Sequence, residues 1–271
     1  KKLENSSASA ALESKKTHDE ALETEQELND TTNFINQQFY KGRCRGPDNN
    51  KLRKELLNFI LGFHRLSING LDEASNQPFE MDDILLICNG EIYNYNALYD
   101  VMNITPKTNS DCEVIIHLYK DFGIEQTLRM LDGVFAFILV DLRITIEQPL
   151  LYVARDPFGV RPLYVLDNND KSGSFTAFAS EAKCLTGFHQ DLNKNILTDS
   201  QQRGINNIFA KTNKHNLKHY PPGHYSCYKL STNVLSSWKL HNTTRYHTTG
   251  FHNILDKSNL KFDRFDDILY N

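Results

Sequence analysis

In Leu85-Leu86-Ile87-Cys88-Asn89-Gly90-Glu91-Ile92-Tyr93-Asn94, a continuous apolar run gives way to a pair of turn-forming residues. The run Leu85 to Cys88 predicts a strand buried on both faces, because a half-exposed strand would alternate apolar with polar. Asn89-Gly90 tolerates positive φ and predicts that the strand ends there in a turn. Tyr95 to Tyr99 then reads as the start of a helix with Asn94 as its N-cap. A strand ending in an amide-bearing turn brings a carboxamide donor and a backbone N–H to one point, as an oxyanion hole requires. An ordinary strand–turn–helix junction has the same local sequence, and Asn-Gly is among the commonest turn signals.

Working outward, Phe59 to Ile68 is strand-like, and its Arg65 lies in an apolar run where a guanidinium needs a partner. Arginine suits a bidentate grip on a carboxylate, and a structural ion pair would satisfy it as well. This strand and the Leu85 strand predict a hairpin, with 77–83 as the loop before the second. Downstream, Ser110 or Asp111 is placed to cap a helix running through Val114 to Tyr119, with Glu113 in its first turn. Asp111 could instead hold an ammonium group. A second helix, Thr127 to Met130, ends at Asp132-Gly133. Val134 to Asp141 and Pro149 to Asp156 supply further strands, Pro157 to Val165 a tight turn running into another, and Phe175 to Lys183 a strand running into a helix. His219 to Trp238 reads as a hairpin entered through Tyr220-Pro221-Pro222-Gly223. Strands with interspersed helices and no βαβ alternation predict an α+β layered sandwich rather than a doubly wound sheet.

The 271 residues allow one large domain with tails, and apolar residues concentrate between about Leu56 and Tyr228. A net charge of -4 without a basic stripe argues against nucleic acid as a partner. The five cysteines (Cys44, Cys88, Cys112, Cys184, Cys227) lack CxxC or Cys/His ligand spacing and read as reduced thiols. Cys44, between Arg43 and Arg45, is either a reactive thiol or a half-buried cysteine beside the Gly46-Pro47 turn. No apolar run approaches about 20 residues and no signal peptide opens the chain, so the expectation is a cytoplasmic protein with no membrane partner. The polar stretch 1–32 reads as a solvated helix or arm, 33–242 as the domain, and 243–271 as a linker running into a further domain. Lys1 and the unfinished amphipathic pattern at Asp263 to Asn271 both suggest a segment of a longer protein.

Seven motifs occur in order: Arg45-Gly46-Pro47-Asp48, His64-Arg65-Leu66-Ser67-Ile68, Asn89-Gly90-Glu91-Ile92-Tyr93-Asn94, Ser110-Asp111-Cys112-Glu113, Leu131-Asp132-Gly133-Val134-Phe135-Ala136-Phe137, Arg155-Asp156-Pro157-Phe158-Gly159-Val160-Arg161-Pro162-Leu163-Tyr164, and Phe178-Ala179-Ser180-Glu181. Over roughly 40–230 this resembles the glutaminase domain of the glutamine-hydrolysing asparagine synthetases, a class II glutamine amidotransferase family. The resemblance implies a four-layer αββα sandwich of the N-terminal-nucleophile hydrolase type. It also implies hydrolysis of glutamine through a glutamyl thioester on an N-terminal cysteine, whose α-amine acts as base. Carried over, Asn89 and Gly90 form the oxyanion hole, and Arg65 grips the glutamine α-carboxylate with Leu66, Ser67, Ile68 and Asn69 alongside. Glu91 and Asp111 take the α-ammonium. The family's Cys-Gly-Ile start is absent, so the chain alone is expected to be inactive. No cofactor or metal is expected here; ATP and Mg²⁺ go with the synthetase domain, which is expected in the same parent chain. A homodimer is the candidate assembly. The alternatives are a catalytically dead binding module, or a glutaminase domain serving another acceptor.

Overall fold

The computed structural model describes residues 29–55, 59–143, 148–167, 176–190, 216–231 and 237–248. The strands are β1 (Asn49–Glu55), β2 (Phe59–Arg65), β3 (Phe79–Met81), β4 (Ile84–Ile92), β5 (Gly133–Asp141) and β6 (Leu150–Arg155), followed by β7 (Tyr164–Asp167), β8 (Thr176–Ala179), β9 (Asn216–His219), β10 (His224–Ser231) and β11 (Ser237–Arg245). Helices are α1 (29–40), α2 (Tyr95–Met102), α3 (Val114–Met130) and the short α4 (186–190). The fold is α+β. All strand pairings between these elements are antiparallel: β1-β2, the six-stranded sheet β11-β10-β6-β5-β4-β3, and β8-β7-β9.

The six-stranded sheet has a core on each face. On one, Ile84, Leu86, Cys88 and Ile92 of β4 and Phe135, Phe137 and Leu139 of β5 pack against Leu98, Tyr99, Ile115, Ile116 and Leu118 of the helices. On the other, Leu85 and Val140 meet Phe59 and Leu61 of β2, while Ala136 and Val153 meet Val165 of β7. Period-two alternation along β4 sorts its side chains between these cores. Each fully buried leucine or isoleucine contributes about 1.5–3 kcal/mol. Outside β2, Phe39 of α1 stacks on His64 at 3.9 Å between ring centres.

Three expectations change. Strand β4 does not end at Asn89-Gly90 but continues to Ile92, pairing Asn89 with Ala136 and Gly90 with Phe135. Neither residue has positive φ. The glycine is required for close approach instead, because a Cβ at Gly90 would lie 2.5 Å from the Val134 carbonyl oxygen. The predicted hairpin of β2 with β4 is also replaced. β2 pairs with β1, and β4 pairs with β3 through Asp82-Asp83, whose φ of 50° and 59° build the tight turn. The linker begins later than residue 243, since β11 runs to Arg245 and the Thr243 and Ser226 hydroxyls bond at 2.8 Å across the strands.

The two short helices expected around 114–130 form one element broken at Gly123, where φ is 73°. No helix among the described residues is long and apolar enough to cross a membrane. Most of the 1–32 stretch and of the 243–271 stretch lies outside the described residues.

Candidate active site

A cavity of about 1120 Å³ opens beside β4, between β2 and β8. All seven residues of β2 and all four of β8 line it. Successive strand residues point to opposite faces, so a space touched by every one of them lies along the strand edge. Among the described strands, β2 pairs with β1 and β8 with β7, and apart from the single bridge of Arg65 to Pro47 each has one edge without a described partner strand on the cavity side.

The floor is the end of β4. Beyond Leu86, the partner strand β3 has run out, and side chains take its place. The buried Gln77 amide copies a peptide group: its Oε1 accepts from Cys88 N at 2.6 Å and its Nε2 donates to Cys88 O at 3.2 Å. Four residues on, Asp111 Oδ2 accepts from Ile92 N at 2.7 Å. Alternation turns the intervening Gly90 N–H to this same edge, where none of the described strands pairs with it. Asn89 faces the opposite way into the cavity, donating one amide hydrogen to Ser180 Oγ at 3.1 Å. A side-chain amide and a strand-edge N–H therefore lie on adjacent residues of a rigid strand.

Arg65 is 7% exposed and lines the cavity. Its Nη1 donates to Asn76 Oδ1 at 2.7 Å and to Asp72 O at 3.4 Å. Its Nη2 donates to Asn69 O at 3.0 Å and to Gly70 O. Both terminal nitrogens thus shape the 69–76 loop. Leu66, Ile68 and Asn69 reach the cavity, with Leu66 and Ile68 more than half exposed. Ser67 does not line it, and its N–H is engaged by Asp48 Oδ2 at 2.7 Å. That contact gives Asp48 of the Arg-Gly-Pro-Asp motif a structural task.

Asp111 is buried, and its second oxygen accepts from Asn69 Nδ2 at 3.4 Å. The cap on the short turn Asp111–Glu113 is Ser110, whose hydroxyl accepts from Cys112 N. Glu113 is fully buried and accepts from Lys107 N, Thr108 N and His117. Burial alone would raise its carboxyl, but these bonds outweigh it and hold it below the usual range. The Cys112 thiol is pushed well up by its bond to Cys88 and by burial, so it stays protonated. Cys44 is exposed. Among the described residues, no three His, Cys, Asp or Glu side chains converge as a metal-ligand set.

Two participants escape a reading of the linear sequence. Ser180 sits 91 positions from the Asn89 it touches. Arg161, within the longest of the seven motifs, lines the cavity and donates through Nη2 to Glu91 Oε1 at 3.1 Å. The signal available for Arg161 was a charged residue fixed between Val160 and Pro162 in an otherwise apolar run.

An antiparallel α+β domain with a carboxamide and a strand-edge N–H at the floor of a cavity that also takes in Arg65, Glu91 and Asp111 fits an amide-hydrolysing class. A family model for the glutamine amidotransferase domain matches residues 22–239, and the chain belongs to this family. More particularly, it is similar to the glutamine-hydrolyzing asparagine synthetase of Mesocricetus auratus, at 42% identity over 147 residues, or 52% of this chain and 25% of that protein. A probable asparagine synthetase of Acanthamoeba polyphaga mimivirus is 42% identical over 145 residues, with the same coverage. The Homo sapiens enzyme is 40% identical over 147 residues, again 52% of this chain and 25% of that protein. The matched segment thus spans about a quarter of the length of these relatives.

Proposed function

We propose that this chain is the glutamine-hydrolysing module of a larger ATP-dependent asparagine synthetase, supplying ammonia for amidation of aspartate. The observation that carries the reading is the pairing of the Asn89 carboxamide with the Gly90 N–H on the uncovered edge of β4. An oxyanion formed at a glutamine carboxamide would be stabilised by these two donors. Glu91 and Asp111 would hold the α-ammonium, and Arg65 would face the α-carboxylate with the N–H it does not give to the loop. Leu66, Ile68 and Asn69 would close the wall.

The mechanism requires a cysteine with a free α-amine, and the five cysteines of this chain, all internal, have none. In the proposal, that cysteine arrives on a strand that adds to the free edges of β2 and β8, completing a four-layer αββα sandwich of the N-terminal-nucleophile type. Backbone pairing to two unpaired edges would hold such a strand. The α-amine takes the thiol proton and sulfur attacks the carboxamide carbon. The tetrahedral oxyanion collapses to a thioester with departure of ammonia, and water then releases glutamate and restores the thiol. ATP and Mg²⁺ would bind to the synthetase domain of the same parent chain in the cytoplasm, with a homodimer as the assembly.

The second reading is a binding module that retains the pocket without chemistry. Adding an N-terminal Cys-Gly-Ile-led strand and measuring glutamate release from glutamine separates them. Release that depends on the added cysteine is expected, with none from the unextended chain. Glutamate from the unextended chain, or none from either form, would sink the hydrolytic reading.

A further inference from the structure

Two loops meet beside the cavity. The first, 69–76, follows β2 and is held by Arg65, which donates from Nη1 to Asn76 Oδ1 and Asp72 O and from Nη2 to Asn69 O and Gly70 O. The second, 107–111, follows α2 and ends at Asp111. Glu113 holds its start, accepting from Lys107 N at 2.8 Å and Thr108 N at 2.6 Å. Gly70 shows how closely the loops approach. Its φ is 65°, and a Cβ there would lie 2.9 Å from the Asn109 carbonyl carbon.

Three hydrogen bonds join the loops. Asn69 Nδ2 donates to Asp111 Oδ1 at 3.4 Å, Asn109 N to Ser75 Oγ at 3.2 Å, and Asn109 Nδ2 to Asp72 Oδ2 at 2.7 Å. The last is the shortest, and its acceptor is a carboxylate, the stronger kind of bond. Asp72 Oδ1 accepts in turn from Ser75 N at 2.9 Å and from Ser75 Oγ at 3.0 Å. Asp72 thus closes its own loop and ties that loop to Asn109. The Asn109 bond, ahead of those from Ser75, holds the Asp72 carboxyl below its ordinary value, so it remains an acceptor at neutral pH. Neither Asp72 nor Asn109 lines the cavity. Their influence on the site runs through what they hold, Arg65 and its loop on one side and Asp111, two residues from Asn109, on the other.

We propose that the Asp72–Asn109 bond is a latch that fixes the spacing between two grips on the substrate, Arg65 for the α-carboxylate and Asp111 for the α-ammonium. Asp72 and Asn109 are then positioning residues. The inference rests on the glutamine reading above and deepens it. The two substrate charges sit on one carbon, so their separation is fixed. Grips already set to that separation need no reorganisation on binding. With the latch broken, Arg65 still orders 69–76 and Glu113 still orders 107–108. Each grip keeps its own shape while the spacing between them loosens. The loss falls on ligands that use both grips and spares those that use one.

The test breaks the bond and then rebuilds it reversed. Asn109→Ala removes it without adding charge, and Asn109→Asp sets two carboxylates against each other. Asp72→Asn combined with Asn109→Asp restores an amide–carboxylate bond with donor and acceptor exchanged, and an asparagine side chain still accepts from Ser75 N. Binding is followed by NMR titration of the chain with L-glutamine and with 4-aminobutanamide. The latter lacks only the α-carboxylate and so engages the ammonium grip alone. Asn109→Ala should weaken L-glutamine binding by about tenfold, the scale of one bond to a charged group, and 4-aminobutanamide binding by less than about threefold. Asn109→Asp should weaken L-glutamine binding at least as much, and the double exchange should return it to within about threefold of the parent. A bond that served stability alone would show in the urea unfolding midpoint and weaken both ligands alike. Unchanged L-glutamine affinity in Asn109→Ala, equal losses for both ligands, or an exchange that restores the midpoint without the affinity would each overturn the latch and leave the glutamine pocket standing. If the unaltered chain binds neither ligand, the glutamine reading fails and takes the inference with it.

Discussion

On the helix-covered face of β4, Ile84, Leu86, Cys88 and Ile92 are almost wholly buried, and the Gln77 amide meets the adjacent Cys88 peptide. On the other face, Asn89 and Glu91 project polar groups toward the cavity, with Ser180 and Arg161 as their partners. One nine-residue strand thus carries a closed side and an open one. The closed side makes the strand rigid, and the rigidity lets the open side keep donors waiting at fixed positions. Preorganised donors are what stabilise developing charge without reorganisation during the reaction.

The comparison is sharpest where one face can be damaged without the other. Leu86→Ala should destabilise the domain by about 2–5 kcal/mol in urea unfolding, the cost of a cavity in a close-packed core. Asn89→Ala should do the reverse. In a form bearing the N-terminal cysteine, glutamate release should fall by about 10²–10³, with the unfolding midpoint close to that of the parent. If Asn89→Ala unfolds the protein as readily as Leu86→Ala, the open face is part of the core after all. The next largest effect falls on the edge that separates the faces. Gln77→Ala orphans both the N–H and the carbonyl of Cys88 and should cost about 1–3 kcal/mol. Hydrogen exchange at Cys88 should accelerate with it; unaltered protection there would show that Gln77 does not support the strand.

How much of this could be seen in the sequence follows from how local each feature is. The buried strand at Leu85 to Cys88 was legible because an unbroken apolar run reports burial directly. The α+β class was legible because strands followed one another without crossover helices. Asn89-Gly90 was misread as a turn because glycine serves both turns and close strand approach, and only the Val134 carbonyl across the sheet tells them apart. The hairpin of β2 with β4 was misread because strand partners are set by packing over long separations, and β1 lies closer in sequence. Arg65 and Asp111 were picked out by chemistry alone, as charged residues that need partners. Which of their atoms stay available depends on the 69–76 loop and on Ile92 N, and nothing local encodes that. Ser67 failed to reach the cavity for the same reason, since its N–H belongs to Asp48.

The far end of the same strand pair supplies the last and smallest test. Asp141 lies opposite Ile84, fully buried, and accepts from Tyr119 Oη at 2.7 Å and from Arg143 at Nε and Nη2. Unlike Glu91, this carboxylate is fully committed to the protein. Burial acts to raise it, but the Arg143 and Tyr119 bonds outweigh that effect and hold it below its ordinary value of 3.8. A depressed carboxyl contributes stability above its unfolded value, and that stability is lost as pH falls below 3.8 toward the folded value. Asp141→Asn should therefore be less stable than the parent at neutral pH, and the two unfolding curves should converge as pH is lowered through this window. Glutamine binding at neutral pH should not change, because Asp141 is not among the residues lining the cavity. Parallel curves from pH 7 to pH 3 would mean that Asp141 titrates alike in the folded and unfolded states. The closed side would then owe its stability to packing alone.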